Sequence, residues 1–292
     1  METSIPATKW KKILYEDQGV NDNYVDETFL EELKKNLHVR TYDYWTAARE
    51  SGTVTQQMCS VCIFVVVFIY MDEHKLSPLI LYTVSSILTL IGYIIKEMIT
   101  SDQEENSNKR TRLDDVKTAV MFVGFSLILC PVLVSLTQTI STDTIYCMST
   151  VMLLSNLLFH DYGPHTAVVS SPLSLNAAIF AAVCLASRLQ SPLHAFSIVT
   201  FALDIFALWP GLRIELKKKG PIYQNMMSLI VGVIASGALL SVSVIGAAIF
   251  ICIHLFINFV CPAWLCRLQP YKDNIYGPWD EAVIRDLAMP VT

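Results

Sequence analysis

The sequence predicts an all-α protein, a polytopic membrane helical bundle of about eight transmembrane helices with both termini cytoplasmic, and three observations carry that prediction. Hydrophobic residues make up 53% of the 292 positions and charged residues 16%, against about 45–50% and about 25% in soluble domains. Long uncharged stretches of roughly 17–25 residues, enough to cross a hydrocarbon core of about 30 Å, recur near 52–71, 76–95, 118–136, 143–159, 172–187, 192–210, 222–240 and 242–261. Basic residues stay cytoplasmic near spans, and an eight-span scheme leaves only Lys75 and Arg188 outside, with the other 19 of the 21 Lys and Arg inside. Seven spans would move Arg267, Lys272 and Arg285 to the other side and weaken that bias.

Taken in order, residues 1–51 form a cytoplasmic segment, 52–261 the transmembrane domain and 262–292 a cytoplasmic tail. The first 50 residues are too polar for a signal peptide, so the first span is expected to act as its own insertion signal. Within 22–49, Val25, Phe29, Leu30, Leu33 and Leu37 recur at helical spacing, which predicts an amphipathic helix lying on a membrane surface or a partner. Glu31 and Lys35 are spaced for an i,i+4 pair on it, and Tyr42, Tyr44 and Trp45 follow as interface aromatics.

The stretch 96–117, "KEMITSDQEENSNKRTRLDDVK", is polar and mixed in charge, and predicts a flexible cytoplasmic connector. "STDTIY" at 141–146 opens a span with hydroxyls and Asp143, which suits a cap and the positive end of the helix dipole. In "ASRLQSPLHAF", Pro192 marks a helix start, and Arg188 and His194 flank a short outward turn. Residues 222–261 carry no charge and are too long for one crossing, so they fold back once. Gly232 with Ser236, Gly237 with Ser241, and Ala178, Ala182 and Ala186 have the spacing that lets membrane helices approach closely. The internal repeat common to transporters is not evident.

Asp204, inside "FALDIFALWP", is the first candidate for function, because a charge at membrane depth costs about 2.5–3.5 kcal/mol on insertion scales. Counted from a span end at Trp209 and Pro210 it lies about 8–9 Å deep, which suits packing, partner or headgroup contact better than catalysis. "HDYGPH" offers His160, Asp161 and His165, metal- or proton-handling residue types in a turn marked by Gly163 and Pro164; headgroup-level contact is the simpler reading. Cys59 and Cys62 in "CSVC" have half the spacing of a zinc site but lie on one face of an apolar helix, where packing is the expected role, and soft packing is expected of most of the eight cysteines. Asp72 and Glu73 in "MDEHK" read as solvated charges. The run Lys217, Lys218 and Lys219, and Trp209 ahead of it, are candidates for headgroup or partner contact.

No G-x-G-x-x-G or P-loop occurs, and 51 residues ahead of the first span are too few for a nucleotide-sugar-binding fold. No catalytic residue, metal, cofactor or nucleic-acid partner is therefore expected of the chain. An intramembrane transferase would need clustered acids, and His254 is alone in its span.

The segments "DNYVDETFLEELKKN", "QQMCSVCIFVVV", "STDTIY", "LSLNAAIFAAVCLASRL", "LHAF", "FALWP" and "NIYGPWDEA" together resemble the PIG-C family, from about Trp10 to Ala282. Members of that family are subunits of phosphatidylinositol N-acetylglucosaminyltransferase. The resemblance implies a multi-pass endoplasmic reticulum protein in a complex that performs the first step of GPI-anchor synthesis, transfer of N-acetylglucosamine from UDP-GlcNAc to phosphatidylinositol. It implies that catalysis belongs to another subunit, PIG-A. The basic cytoplasmic face, the apolar stripe of the N-terminal helix and the small-residue helix faces predict further that this chain holds the catalytic subunit at the membrane and helps present the inositol lipid. In that family the position before "IFALWP" accepts an uncharged amide, so Asp204 is expected to serve as a hydrogen-bonding contact. The competing expectation is an independent transporter or lipid translocase.

Overall fold

The computed structural model describes residues 34–35, 43–101, 117, 120–121, 124, 127–128, 140–163, 170–271 and 275–276. They are helical throughout apart from connecting turns and a ladder of two-residue strands. The chain forms two units, Asp43–Trp264 and a second made of Met1–Tyr42 with Leu265–Thr292. In the second, β1 (Lys34–Lys35) pairs antiparallel with β2 (Ile275–Tyr276), Lys34 opposite Tyr276 and Lys35 opposite Ile275. At Lys34 and Lys35, within the amphipathic helix expected over 22–49, the backbone groups are used between strands instead of within a helical turn. Residues 44–49 belong to the first long apolar helix, and residues 22–33 and 36–42 lie outside the described residues.

Seven long helices are described. They are α1 (Tyr44–Asp72), α2 (Pro78–Ser101), α3 (Thr142–Phe159), α4 (Ser171–Ala186), α5 (Pro192–Lys219), α6 (Pro221–Leu240) and α7 (Val244–Tyr271). The described positions of the third apolar stretch, such as Val120, Gly124 and Ile128, are helical as well. Among the described residues, five helices are long and apolar enough to cross a membrane: α1, α2, α5, α6 and α7. α2 continues to Ser101, so residues 96–101 of the expected connector are helical, and the remainder of that connector lies outside the described residues.

Their starts follow from local chemistry. Asp43 caps α1, accepting from the Thr46 amide at 3.1 Å, and Ser141 caps α3 through the Thr144 amide at 3.3 Å, with Asp143 in the first turn as expected. Ser191 and Ser243 cap α5 and α7 in the same way. Proline, whose missing N–H is harmless in a first turn, stands in the first turn of α2, α4, α5 and α6. Gly220, at φ 148°, makes the reversal between α5 and α6, a conformation that glycine alone adopts freely.

Two helices run further than the apolar pattern implies. α5 passes through Pro210 to Lys219 and α7 passes through Pro262 to Tyr271. A proline inside an α-helix clashes with the carbonyl four residues back and cannot donate to it. Each helix absorbs the proline with a five-residue π turn, Asp204–Leu208 and Phe256–Val260, ending two residues before it. The matching segments are "DIFALWP" and "FINFVCP". Asp204 therefore lies near the middle of α5, not one and a half turns from its end.

α1 is the central helix and packs against α3, α5, α6 and α7. Phe64, Phe68 and Met71 of α1 join Ala178, Ala181, Ala182 and Ala186 of α4 and Ala195, Ile198 and Phe206 of α5 in the larger core. The alanine face lets α4 sit close to α3 and α5. A second cluster joins Cys59 of α1 to Val231, Ala235 and Phe250, with Cys62 beside it, so the "CSVC" cysteines pack as expected. At Gly52 α1 comes close to α6: a Cβ there would lie 3.2 Å from Ser228 Oγ. Gly232 faces the His254 ring in the same manner, whereas Gly237 meets nothing within 4 Å.

Candidate functional site

Three consecutive polar residues of α1, Thr55, Gln56 and Gln57, are buried in an otherwise apolar helix. Successive residues point about 100° apart around a helix, so the three reach different neighbours. Thr55 Oγ1 donates to Asn258 Oδ1 of α7 at 3.3 Å. Gln56 Nε2 donates to Ser228 Oγ of α6 at 2.6 Å. Gln57 Nε2 donates to Asn156 Oδ1 of α3 at 2.9 Å, and its Oε1 accepts from Arg213 Nη2 of α5 at 2.7 Å.

The network continues from both partners. Asn156 Nδ2 donates to Ser174 Oγ of α4 at 2.9 Å, and Ser174 Oγ donates back to the Asn156 carbonyl at 2.9 Å. Arg213 Nη2 also lies 3.1 Å from His160 Nε2. A guanidinium only donates, so Nε2 accepts and the neutral ring carries its proton on Nδ1. Burial, then the Arg213 charge, hold His160 down at about 4, with Asp161 opposing. The His160 and Tyr162 rings are 5.1 Å apart, and Tyr162 donates to the Leu157 carbonyl at 2.6 Å. Burial pushes the Tyr162 hydroxyl up to about 12 against the pull of Arg213. Both neighbours of the arginine on this side are therefore neutral at physiological pH.

A cavity of about 690 Å³ opens beside this network. α1 lines it with Thr53 and Gln56, the α3–α4 segment with His160, Asp161, Tyr162, Gly163, Ser171 and Leu175, and α6 with Gln224 and Met227. α5 supplies Phe206, Ala207 and Pro210 from the π turn and its proline, then Arg213, Ile214, Leu216, Lys217 and Lys218. Among the described residues, three cations and one carboxylate, Asp161, thus line it. Lys217 pairs with Glu50 at 2.5 Å and Lys218 with Glu215 at 2.9 Å. Arg213 pairs with no carboxylate among the described residues, and its Nη1 is buried without a hydrogen-bond partner. Asp161 Oδ1 is engaged by the Gly163 amide at 3.0 Å.

The sequence candidates divide accordingly. His160, Asp161, Lys217 and Lys218 come together at the cavity. Lys219, Asp204 and Trp209 do not line it. Asp204 faces Ser85 and Thr89 of α2, but Ser85 donates to the Tyr82 carbonyl at 3.2 Å, and Asp204 Oδ2 is left without a partner. Trp209 packs beside the Cys59 cluster. His165 lies outside the described residues. Arg213, Gln57 and Asn156 do not stand out in the sequence. The signal that could have found them is an amide or guanidinium isolated in an apolar run, as in "VTQQM", "LLSNLL" and "WPGLRI".

Fold and site together define a helical membrane-type protein with a basic, apolar-walled cavity at one end of its central helix. The family GPI2, phosphatidylinositol N-acetylglucosaminyltransferase, matches over residues 10–280. The chain is 50% identical over 284 residues to human PIG-C, a subunit of phosphatidylinositol N-acetylglucosaminyltransferase, covering 97% of this chain and 96% of that protein. It is 40% identical to the putative PIG-C of Dictyostelium discoideum, over 94% of this chain and 80% of that protein. It is 34% identical to the GPI2 subunit of the same transferase from Schizosaccharomyces pombe, over 94% and 86%. No solved structure matches. The chain belongs to the PIG-C, or GPI2, family of phosphatidylinositol N-acetylglucosaminyltransferase subunits.

Proposed function

We propose that this chain is a non-catalytic, multi-pass subunit of the endoplasmic reticulum complex that transfers N-acetylglucosamine from UDP-GlcNAc to phosphatidylinositol, the first step of GPI-anchor synthesis. In this reading it crosses the membrane eight times with both ends cytoplasmic, holds the catalytic subunit PIG-A and presents the lipid acceptor. The observation that carries it is the family match along nearly the whole chain. Two structural features support it. α1 ties four helices into one scaffold through Thr55, Gln56 and Gln57. The cavity gathers Arg213, Lys217 and Lys218 at one end of the bundle, where an anionic headgroup would sit.

The test is purification of the tagged chain in a gentle detergent, with an assay for N-acetylglucosaminyl-phosphatidylinositol synthesis and for co-purifying proteins. Activity with a co-purifying glycosyltransferase subunit, lost when the chain is deleted, is the expected result. A chain purified alone, whose deletion leaves synthesis intact, would overturn the reading in favour of a lipid translocase.

A further inference from the structure

Arg213 poses an electrostatic problem. A buried cation is ordinarily matched by a carboxylate, because desolvation alone costs several kcal/mol per ion by rough estimate. Here the hydrogen-bond partners among the described residues are the neutral Gln57 and His160, and Nη1 is buried with nothing to donate to. The two neighbouring cations do not share the problem, since Glu50 and Glu215 already engage Lys217 and Lys218. An anion drawn to this end of the bundle would meet a carboxylate already paired at either lysine, but none among the described residues at the arginine.

We infer that Arg213, held in place by Gln57 and His160, is the anchor for the phosphodiester of one anionic phospholipid bound in this cavity. The guanidinium fork matches phosphate oxygens bidentately and stays charged when buried. The volume of about 690 Å³ falls within the roughly 300–1,000 Å³ of small-molecule sites and suits a headgroup with its glycerol. Leu175, Phe206, Ala207, Pro210 and Met227 give the remaining wall an apolar character, as the first methylenes of acyl chains require. A sugar nucleotide offers phosphate too, but its two charges and polar sugar match neither one cation unpaired among the described residues nor that wall. His160 and Gln57 are positioning residues: by holding Nη2 they fix the guanidinium in the cavity wall. The inference rests on the lipid-presentation reading above and gives it a location.

The experiment places the full-length chain, within its co-purified complex, in phosphatidylcholine nanodiscs doped with phosphatidylinositol, and counts retained lipid by native mass spectrometry. One retained phosphatidylinositol is expected for the unmodified chain. Arg213→Gln, which removes the charge and keeps a polar side chain, should lower retention about 10- to 100-fold, the range of a lost charge-assisted hydrogen bond, and Arg213→Lys should fall between. Ala207→Trp, which fills the cavity and leaves Arg213 in place, should also lower it. Glycerophosphoinositol should compete, whereas UDP-GlcNAc and inorganic phosphate at equal concentration should not.

Unchanged retention in Arg213→Gln, or in a folded Ala207→Trp if the first variant misfolds, would overturn the inference. So would competition by UDP-GlcNAc or inorganic phosphate alone, which would assign the cavity to a free anion. Co-purification of the other subunits is scored in the same samples. Lost assembly or dispensable synthesis sinks the functional reading, while intact assembly with Arg213-independent retention sinks only this one.

Discussion

Gln57 and Arg213, 156 residues apart in sequence, meet at 2.7 Å between the Gln57 Oε1 and the Arg213 Nη2. One amide thereby serves two helices, because its Nε2 is committed to Asn156 at 2.9 Å. Replacing it with Leu strands an arginine and an asparagine in one step. Unsatisfied buried groups cost about 1–3 kcal/mol each, more when charged, so Gln57→Leu should lower the melting temperature of the solubilised chain by several degrees. Gln57→Glu should keep the contact with Arg213 at the cost of the bond to Asn156, and reduce retention of phosphatidylinositol by neutralising the guanidinium. A Gln57→Glu chain that binds the lipid normally would contradict that assignment.

Acid should weaken the same cluster through His160. Its folded value of about 4 lies below the ordinary 6.5, so between these the unfolded chain binds the extra proton and the folded chain resists it. Stability then falls as pH drops from about 6.5 toward 4 and is insensitive to this group above 6.5. His160→Gln keeps an acceptor for Arg213 and removes the titration. Melting curves across pH 4–7.5 should show a shallower decline for the variant; equal slopes would exclude His160 as the cause.

Helix contact predicts opposite outcomes at two glycines of similar appearance. Gly52→Leu would drive a side chain into Ser228, whose Oγ is 3.2 Å from a Cβ at that position, and should break the Gln56–Ser228 bond with a clear loss of thermal stability. Gly237→Ala adds a methyl where nothing lies within 4 Å, and in a helix interior should be neutral or stabilising by up to about 1 kcal/mol. The pair of melting temperatures decides it.

Changing all of Lys217, Lys218 and Lys219 to Gln should alter the lipid requirement of the complex far less than Arg213→Gln, because Lys217 and Lys218 already have carboxylate partners. The apparent Michaelis constant for phosphatidylinositol is the readout. A larger effect from the lysines would shift the headgroup contact to the outer rim.

Asp204→Asn should support normal synthesis, since Ser85 and Thr89 ask only for a polar neighbour. Loss of synthesis with assembly intact would mean that the carboxylate itself is needed.

The apolar runs announced the helices because lipid and core exert the same demand on composition. The turn at 241–243 and the starts at Ser141 and Pro192 fall where those residues suggested. The two proline-containing helices were underestimated, because Pro210 and Pro262 look like stops until a π turn relieves the clash. The cavity was half legible: His160, Asp161, Lys217 and Lys218 stand out as polar residues at the edges of apolar runs. Arg213 did not, because in sequence it is merely the first of four cations after Trp209, and its distinction is its tertiary contact with Gln57 and His160 while Lys217 and Lys218 pair with Glu50 and Glu215.

Each π turn holds one residue more than an α-helical turn would, and a surplus residue rotates the rest of the helix by about 100°. In α5 the turn at Asp204–Leu208 thus sets the azimuth at which Arg213 leaves the helix, almost independently of the helix's length. A one-codon deletion between Asp204 and Leu208 would act as a quarter-turn of a dial, swinging the guanidinium off its bearing on Gln57 and bringing another side chain to the cavity. Relatives that gained or lost one residue here would differ less in shape than in which group they offer to a ligand.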